Sequence, residues 1–126
     1  MDSPSNTVLV VDDDASIRFL CRVNLELEGW SVAEAATVAE ARAVVADAEV
    51  AVVLLDVHLG AESSLEFLEE LRAQHPHLPV AMLTGSTGTP TLEGVTADAV
   101  IPKPFRPDAL TATVSRLATR LAPNAR

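Results

Sequence analysis

The run Val50-Ala51-Val52-Val53-Leu54-Leu55 contains no polar residue and stops on Asp56. It is short for a helix and far too short to span a bilayer. As a strand with no polar alternation, it needs apolar cover on both of its faces. Val8-Leu9-Val10-Val11, closed by Asp12-Asp13-Asp14, and Val80-Ala81-Met82-Leu83, closed by Thr84, repeat the pattern; Trp30 to Ala35 and Ala99-Val100-Ile101 are weaker versions. The segments between them carry helical spacing. Ile17, Leu20 and Val23 or Asn24 mark a helix from Ala15 to Glu28 that Gly29 stops, and Thr37 with Glu40 forms a capping-box pattern ahead of an Ala-rich helix through Ala46. Ser63-Ser64-Leu65-Glu66 is a second capping box, opening a helix with Leu65, Leu68 and Leu71 or Arg72 that ends before His75-Pro76. A last helix starts near Pro107-Asp108 and runs to about Leu121. Five buried strands alternating with helices predict a doubly wound α/β fold around a parallel sheet, and 126 residues suffice for one such domain.

A sheet of this kind binds ligands at the carboxyl ends of its strands, where strand order reverses. The residues that close the runs are therefore the candidates: Asp12, Asp13 and Asp14, then Asp56, Thr84 and Lys103. Acidic side chains converging from two strand ends repel one another unless a cation lies among them. Oxygen donors that leave coordination incomplete suit Mg2+, which keeps waters and accepts a phosphate. The Thr84 hydroxyl and Lys103 ammonium add a donor and a positive charge for phosphoryl oxygens, so the set describes phosphoryl transfer onto a carboxylate. Lys103 carries an argument of its own. The chain has eight Arg and one Lys, and that single compact ammonium falls at a strand end where a forked guanidinium fits poorly.

Composition removes other classes. Nine basic against eighteen acidic residues give a net charge of −9, which offers no basic field for a phosphate backbone, so direct nucleic-acid binding is not expected. A single cysteine, Cys21, excludes an internal disulfide and a Cys-cluster metal site, and reads as a small buried hydrophobe. The N-terminus lacks the basic and apolar regions of a secretory signal, so no membrane association and a cytoplasmic location are the default expectations. Gly85-Ser86-Thr87-Gly88 matches neither a nucleophile elbow nor a phosphate loop. Asp14 is read as the cap of the first helix rather than a ligand, His75 and His77 as surface-turn residues, and Trp30 as a packing residue.

Four pieces in this order, Val8-Leu9-Val10-Val11-Asp12-Asp13-Asp14, Leu54-Leu55-Asp56-Val57-His58-Leu59, Met82-Leu83-Thr84-Gly85 and Lys103-Pro104-Phe105, resemble the response-regulator receiver domain of bacterial two-component signalling. Their separations, 43 residues from Asp13 to Asp56 and 28 from Asp56 to Thr84, fit the resemblance, which covers nearly the whole chain. It implies a flavodoxin-like strand order 2-1-3-4-5 and a receiver domain over residues 7–122, with a disordered tail at 1–6 and a frayed one at 123–126. It implies that Asp56 accepts a phosphoryl group from a histidine kinase or phosphotransfer protein. Asp13, Asp56 and the main-chain carbonyl of His58 would bind Mg2+, with Asp12 acting directly or through a water. Thr84 would hydrogen-bond the phosphoryl oxygen, Lys103 would pair with Asp56 or the phosphate, and the Lys103–Pro104 peptide would be cis. The partners implied are that phosphodonor protein and an output protein, for a monomer or weak dimer of the stand-alone type. By the same resemblance the domain would catalyse only its own phosphorylation and dephosphorylation.

The chain also departs from the family. Gly60 stands where Pro is common and Ser64 where Gly is common, so a more mobile loop after Asp56 is expected. Lys103 follows Thr84 by only 19 positions, with Gly85, Gly88, Pro90, Gly94 and four Thr between them, so the fourth helix should be short or irregular. The usual switch aromatic of the fifth strand is Val100, so output is expected to use another surface, or the ordering of residues 85–98. Two further readings compete. A phosphorylation-independent scaffold would keep the fold without the switch, and a Mg2+-dependent aspartyl phosphohydrolase would need an acid where His58 stands.

Overall fold

Seven strands and four helices occupy the residues that the structure, a computed structural model, describes: 6–59, 62–85 and 97–121, with only the backbone of 62, 63, 120 and 121. In order they are β1 (Thr7–Val11), α1 (Ala15–Leu27), β2 (Ser31–Ala35), α2 (Val38–Asp47), β3 (Val52–Asp56), β4 (His58–Leu59), β5 (Glu62–Ser63), α3 (Ser64–Gln74), β6 (Val80–Thr84), β7 (Ala99–Pro102) and α4 (Pro107–Leu121). Five strands form one parallel sheet in the order β2-β1-β3-β6-β7, which is 2-1-3-4-5 when only the sheet's own strands are counted. The segment in which a short or irregular helix is expected, 86–96, lies outside the described residues, as do most of the two tails.

The uninterrupted apolar runs find cover on both faces because successive side chains of a strand point to opposite sides. Leu9, Val11, Val53, Leu55, Val80 and Met82 point toward α2 and α3, where they meet Val38, Ala41, Phe67, Leu68 and Leu71. Val8, Val10, Val52, Leu54, Ala81 and Leu83 point the other way, onto Cys21 and Leu25 of α1 and Leu110, Val114 and Leu117 of α4. Cys21 is fully buried, as a small hydrophobe should be, and burial followed by the nearby Asp12 charge pushes its thiol up to about 12. Trp30 packs against the α1/α4 side.

The helix ends follow the local chemistry. Asp14 caps α1, its Oδ1 accepting the Ser16 N–H at 2.8 Å, and Gly29 ends the turn after α1 with a φ of 94° that a side chain rarely tolerates. At α2 the Thr37 Oγ1 accepts the Glu40 N–H at 3.1 Å, but the reciprocal bond differs from the predicted box. Glu40 Oε1 accepts from Ala36 N–H at 2.7 Å, because with Thr37 extended it is the Ala36 amide that faces back over the first turn. Of the second predicted box, the Ser63 side chain lies outside the described residues. β2 and β3 begin one and two residues later than their apolar runs.

Two features were not legible in sequence. After β3 the chain forms a small antiparallel ribbon, His58 opposite Ser63 and Leu59 opposite Glu62, and the buried Ser64 hydroxyl donates to Val57 O at 2.7 Å. The centre of the loop expected to be mobile, residues 60 and 61, lies outside the described residues. At the amino ends of β6 and β7, Arg72 donates to Leu78 O at 2.9 Å and to Asp98 Oδ2 at 2.7 Å, while that carboxylate also accepts the Val80 N–H at 2.8 Å. This clasp joins α3, the start of β6 and the approach to β7. Among the described residues no helix is long and apolar enough to cross a membrane.

Candidate functional site

Strand order reverses between β1 and β3, and the acidic residues lie at the carboxyl ends of those two strands. Carboxylate oxygens of Asp12, Asp13 and Asp56 all fall within 4.8 Å of one another. Asp12 and Asp56 are buried and Asp13 is exposed, so the cluster opens to solvent on the Asp13 side.

Asp12 is held from four directions. Its N–H donates to Ala35 O at 3.0 Å, its Oδ1 accepts the Asp14 N–H at 2.9 Å, its Oδ2 accepts Lys103 Nζ at 2.8 Å, and its main-chain oxygen accepts Arg18 Nη1 at 2.7 Å. Lys103 also stands 3.4 Å from Asp56 Oδ1, which accepts the His58 N–H at 3.3 Å. The ammonium was expected beside Asp56 or a phosphate; it pairs with Asp56 at 3.4 Å and stands closer still, at 2.8 Å, to the fully buried Asp12. Burial pulls the Lys103 pKa down, but the hydrogen bond and charge of Asp12, with Asp56 behind, outweigh it and leave the pKa raised. For Asp56, burial first and the Asp12 carboxylate second push the carboxyl from 3.8 up to about 6, against the opposing pull of Lys103 and the His58 amide.

Thr84 ends β6 and is buried; it is the residue after Leu83, which registers with Asp56 across the sheet. Its carbonyl accepts the Lys103 N–H at 2.7 Å, so the two strand ends that carry Thr84 and Lys103 are bonded together. The Lys103–Pro104 peptide is cis. His58 keeps its amide in contact with Asp56 and its side chain exposed at the rim. Asp14 caps α1, as expected, and among the described residues the acidic cluster consists of Asp12, Asp13 and Asp56.

Sequence reasoning missed Arg18, Glu34 and Ser64. Arg18 Nε pairs with Glu34 Oε1 at 3.0 Å, and Arg22 Nη2 holds Glu34 Oε2 at 2.9 Å. The only available signals were an Arg one turn into the helix that follows the acidic pair and a Glu next to the end of a neighbouring strand. Neither identifies its partner before the strand order is known.

Three carboxylates around a site with one ammonium leave a net negative pocket of hard oxygen donors. Burial first, and repulsion from Asp12 second, raise the Asp56 carboxyl in this setting. That donor set fits a divalent cation of the Mg2+ type.

The family model described as response regulator receiver domain matches residues 8–115, and the chain belongs to this family. It is a receiver domain, the aspartate-phosphorylated signalling module of two-component systems. The phosphate regulon transcriptional regulatory protein PhoB of Pseudomonas aeruginosa is 34% identical over 122 residues, covering 93% of this chain and 53% of the relative. The chain spans about half the length of the curated relatives it matches. Among solved structures, a CheY-like receiver domain protein of Methanospirillum hungatei matches with TM-score 0.83 and 29% identity, over 93% of this chain and 96% of that one. The response regulator TrrA of Thermotoga maritima, in complex with Mg(2+)-BeF, matches with TM-score 0.81 and 29% identity, over 89% and 98%.

Proposed function

We propose that Asp56 is the phosphoacceptor of this module and that the phosphoryl group comes from a histidine kinase or phosphotransfer protein. An Asp56 carboxylate oxygen forms the new O–P bond as the N–P bond of a phosphohistidine breaks, and the leaving imidazole keeps the electron pair. The observation that carries this reading is the Asp56 carboxylate at the sheet's switch point, clustered with Asp12 and Asp13 and facing Lys103. A carboxylate is an ordinary nucleophile, so rate comes from positioning and charge neutralisation. Lys103, held by Asp12, presents positive charge to the group that arrives at Asp56. The Thr84 hydroxyl serves as donor to a phosphoryl oxygen.

Asp13, Asp56 and the His58 main-chain carbonyl would hold Mg2+, with Asp12, both of whose carboxylate oxygens already accept hydrogen bonds, acting directly or through a water. When bound, the ion supplies charge neutralisation for the carboxylates and the phosphoryl oxygens. The relative crystallised with Mg(2+)-BeF supports this choice of metal. Dephosphorylation by water at the same site returns Asp56 to its carboxylate, and the phosphorylated state switches contact with an output protein. Val100, an exposed aliphatic in place of the usual aromatic, directs the search for that contact away from the family's ordinary aromatic switch.

The test is intact mass after incubation with acetyl phosphate, with Mg2+ or with chelator, on the wild type and Asp56→Asn. A single Mg2+-dependent phosphoryl adduct on the wild type and none on the variant is expected. An adduct that persists in Asp56→Asn overturns the assignment. If neither acetyl phosphate nor a kinase gives an adduct, the scaffold reading replaces it.

A further inference from the structure

We propose that Arg18 is a positioning residue for the acidic pair, setting Mg2+ affinity through the Asp12–Asp13 peptide without touching the metal. The inference rests on reading Asp12, Asp13 and Asp56 as the Mg2+ site.

The β1–β2 ladder runs out at this point. β2 ends at Ala35, whose carbonyl takes the Asp12 N–H, so the Asp12 carbonyl lies one step beyond the last strand partner. Arg18 fills that gap. It lies one turn into α1, and side chains of a helix lean toward its N-terminus, which carries the guanidinium back over the turn that Asp14 caps. Nη1 then meets Asp12 O at 2.7 Å while Nε, in the same rigid plane, meets Glu34 Oε1 at 3.0 Å. Glu34 is braced in turn by Arg22, and the Arg18 side chain is only 18% exposed.

A peptide unit is planar, so fixing the Asp12 oxygen also fixes the amide from which Asp13 departs. Asp12 is secured on its other sides by Asp14, Lys103 and Ala35, whereas Asp13 is exposed and outside that mesh. The strand end of β2 therefore orients the first turn of the site through one side chain of α1. The arrangement is the supporting shell by which proteins tune metal ligands from behind.

Charge and positioning predict opposite signs. A guanidinium close to a cation site repels the cation, so by charge alone its removal tightens Mg2+ binding. If Arg18 acts by holding the peptide, its removal weakens binding, by about tenfold on the scale of other supporting-shell losses.

The experiment is calorimetric titration of the full chain with MgCl2, for the wild type, Arg18→Ala, Arg18→Gln and Arg18→Lys, with circular dichroism to establish that each is folded. Weaker binding by Arg18→Ala, partly rescued in Arg18→Gln, which is uncharged but keeps a donor, is the expected result. Arg18→Ala binding as tightly as the wild type, or more tightly, overturns the inference while leaving the metal site intact. Failure of the wild type itself to bind Mg2+ overturns the metal-site reading and this inference with it. Should Arg18→Ala not fold, Arg18→Lys decides: the charge is kept but the fork is lost, so weaker binding supports positioning and unchanged binding refutes it.

Discussion

Asp56 works against the stability of the fold that presents it. Its folded-state pKa is raised from 3.8 to about 6, so the fold favours the protonated carboxyl. The corresponding stability is fully present below pH 3.8 and is lost as pH rises through about 6, because in that window the native state binds more protons than the unfolded one. In chelator at pH 7.5, Asp56→Asn should therefore raise stability, because the amide has no charge to bury beside Asp12. Urea melts at pH 4.5 and 7.5 check this: the variant's advantage should be present at the higher pH and shrink at the lower. Cys21 illustrates the opposite role for a buried group. Fully covered and pushed up to about 12, its thiol should stay unmodified by a thiol reagent in native buffer and react stoichiometrically in denaturant.

At the scale of elements, the turns at the strand ends do two different jobs. Asp14 caps α1 at the surface, so Asp14→Ala should cost about 1 kcal/mol and leave phosphorylation by acetyl phosphate intact. Ser64 is buried and holds the Val57 carbonyl beside Asp56. Removing its hydroxyl in Ser64→Ala strands a polar group, which should cost about 1–2 kcal/mol by urea melts. It should also change the lifetime of the phosphorylated form, measurable as the decay of the mass adduct, because the chain leaving Asp56 loses its tether. The small ribbon of β4 and β5 belongs to the same device. Its pairing depends on two residues on each side, so no periodic pattern announces it.

For the whole molecule, the net charge of −9 and the cluster of three carboxylates predict a specific response to divalent ions. At a Mg2+ concentration tenfold above its dissociation constant, stabilisation should be about 1.4 kcal/mol, roughly 5 °C in Tm for a domain of this size. NaCl of equal ionic strength should reproduce only the general screening part, and Asp13→Asn should abolish the remainder. Thermal melts in MgCl2 and NaCl separate the two.

The doubly wound class follows from Val8–Val11, Val50–Leu55 and Val80–Leu83 together with the helical spacing between the runs, since an apolar run without alternation needs cover on both of its faces. The candidates Asp12, Asp13, Asp56, Thr84 and Lys103 were readable for a related reason: each closes a run, and run ends are what such a sheet brings together. Sequence carries this kind of information well because it is local, a matter of periodicity and of where it stops. The contacts around those residues are not local. That Lys103 leans on Asp12 more closely than on Asp56, that Arg18 reaches the Asp12 carbonyl while bridging to Glu34, and that the Ser64 hydroxyl takes the Val57 carbonyl all depend on how separate elements settle against one another. Hydrogen bonds are decided within a few tenths of an ångström, and only the packing of α1 and α3 on the finished sheet sets positions that finely.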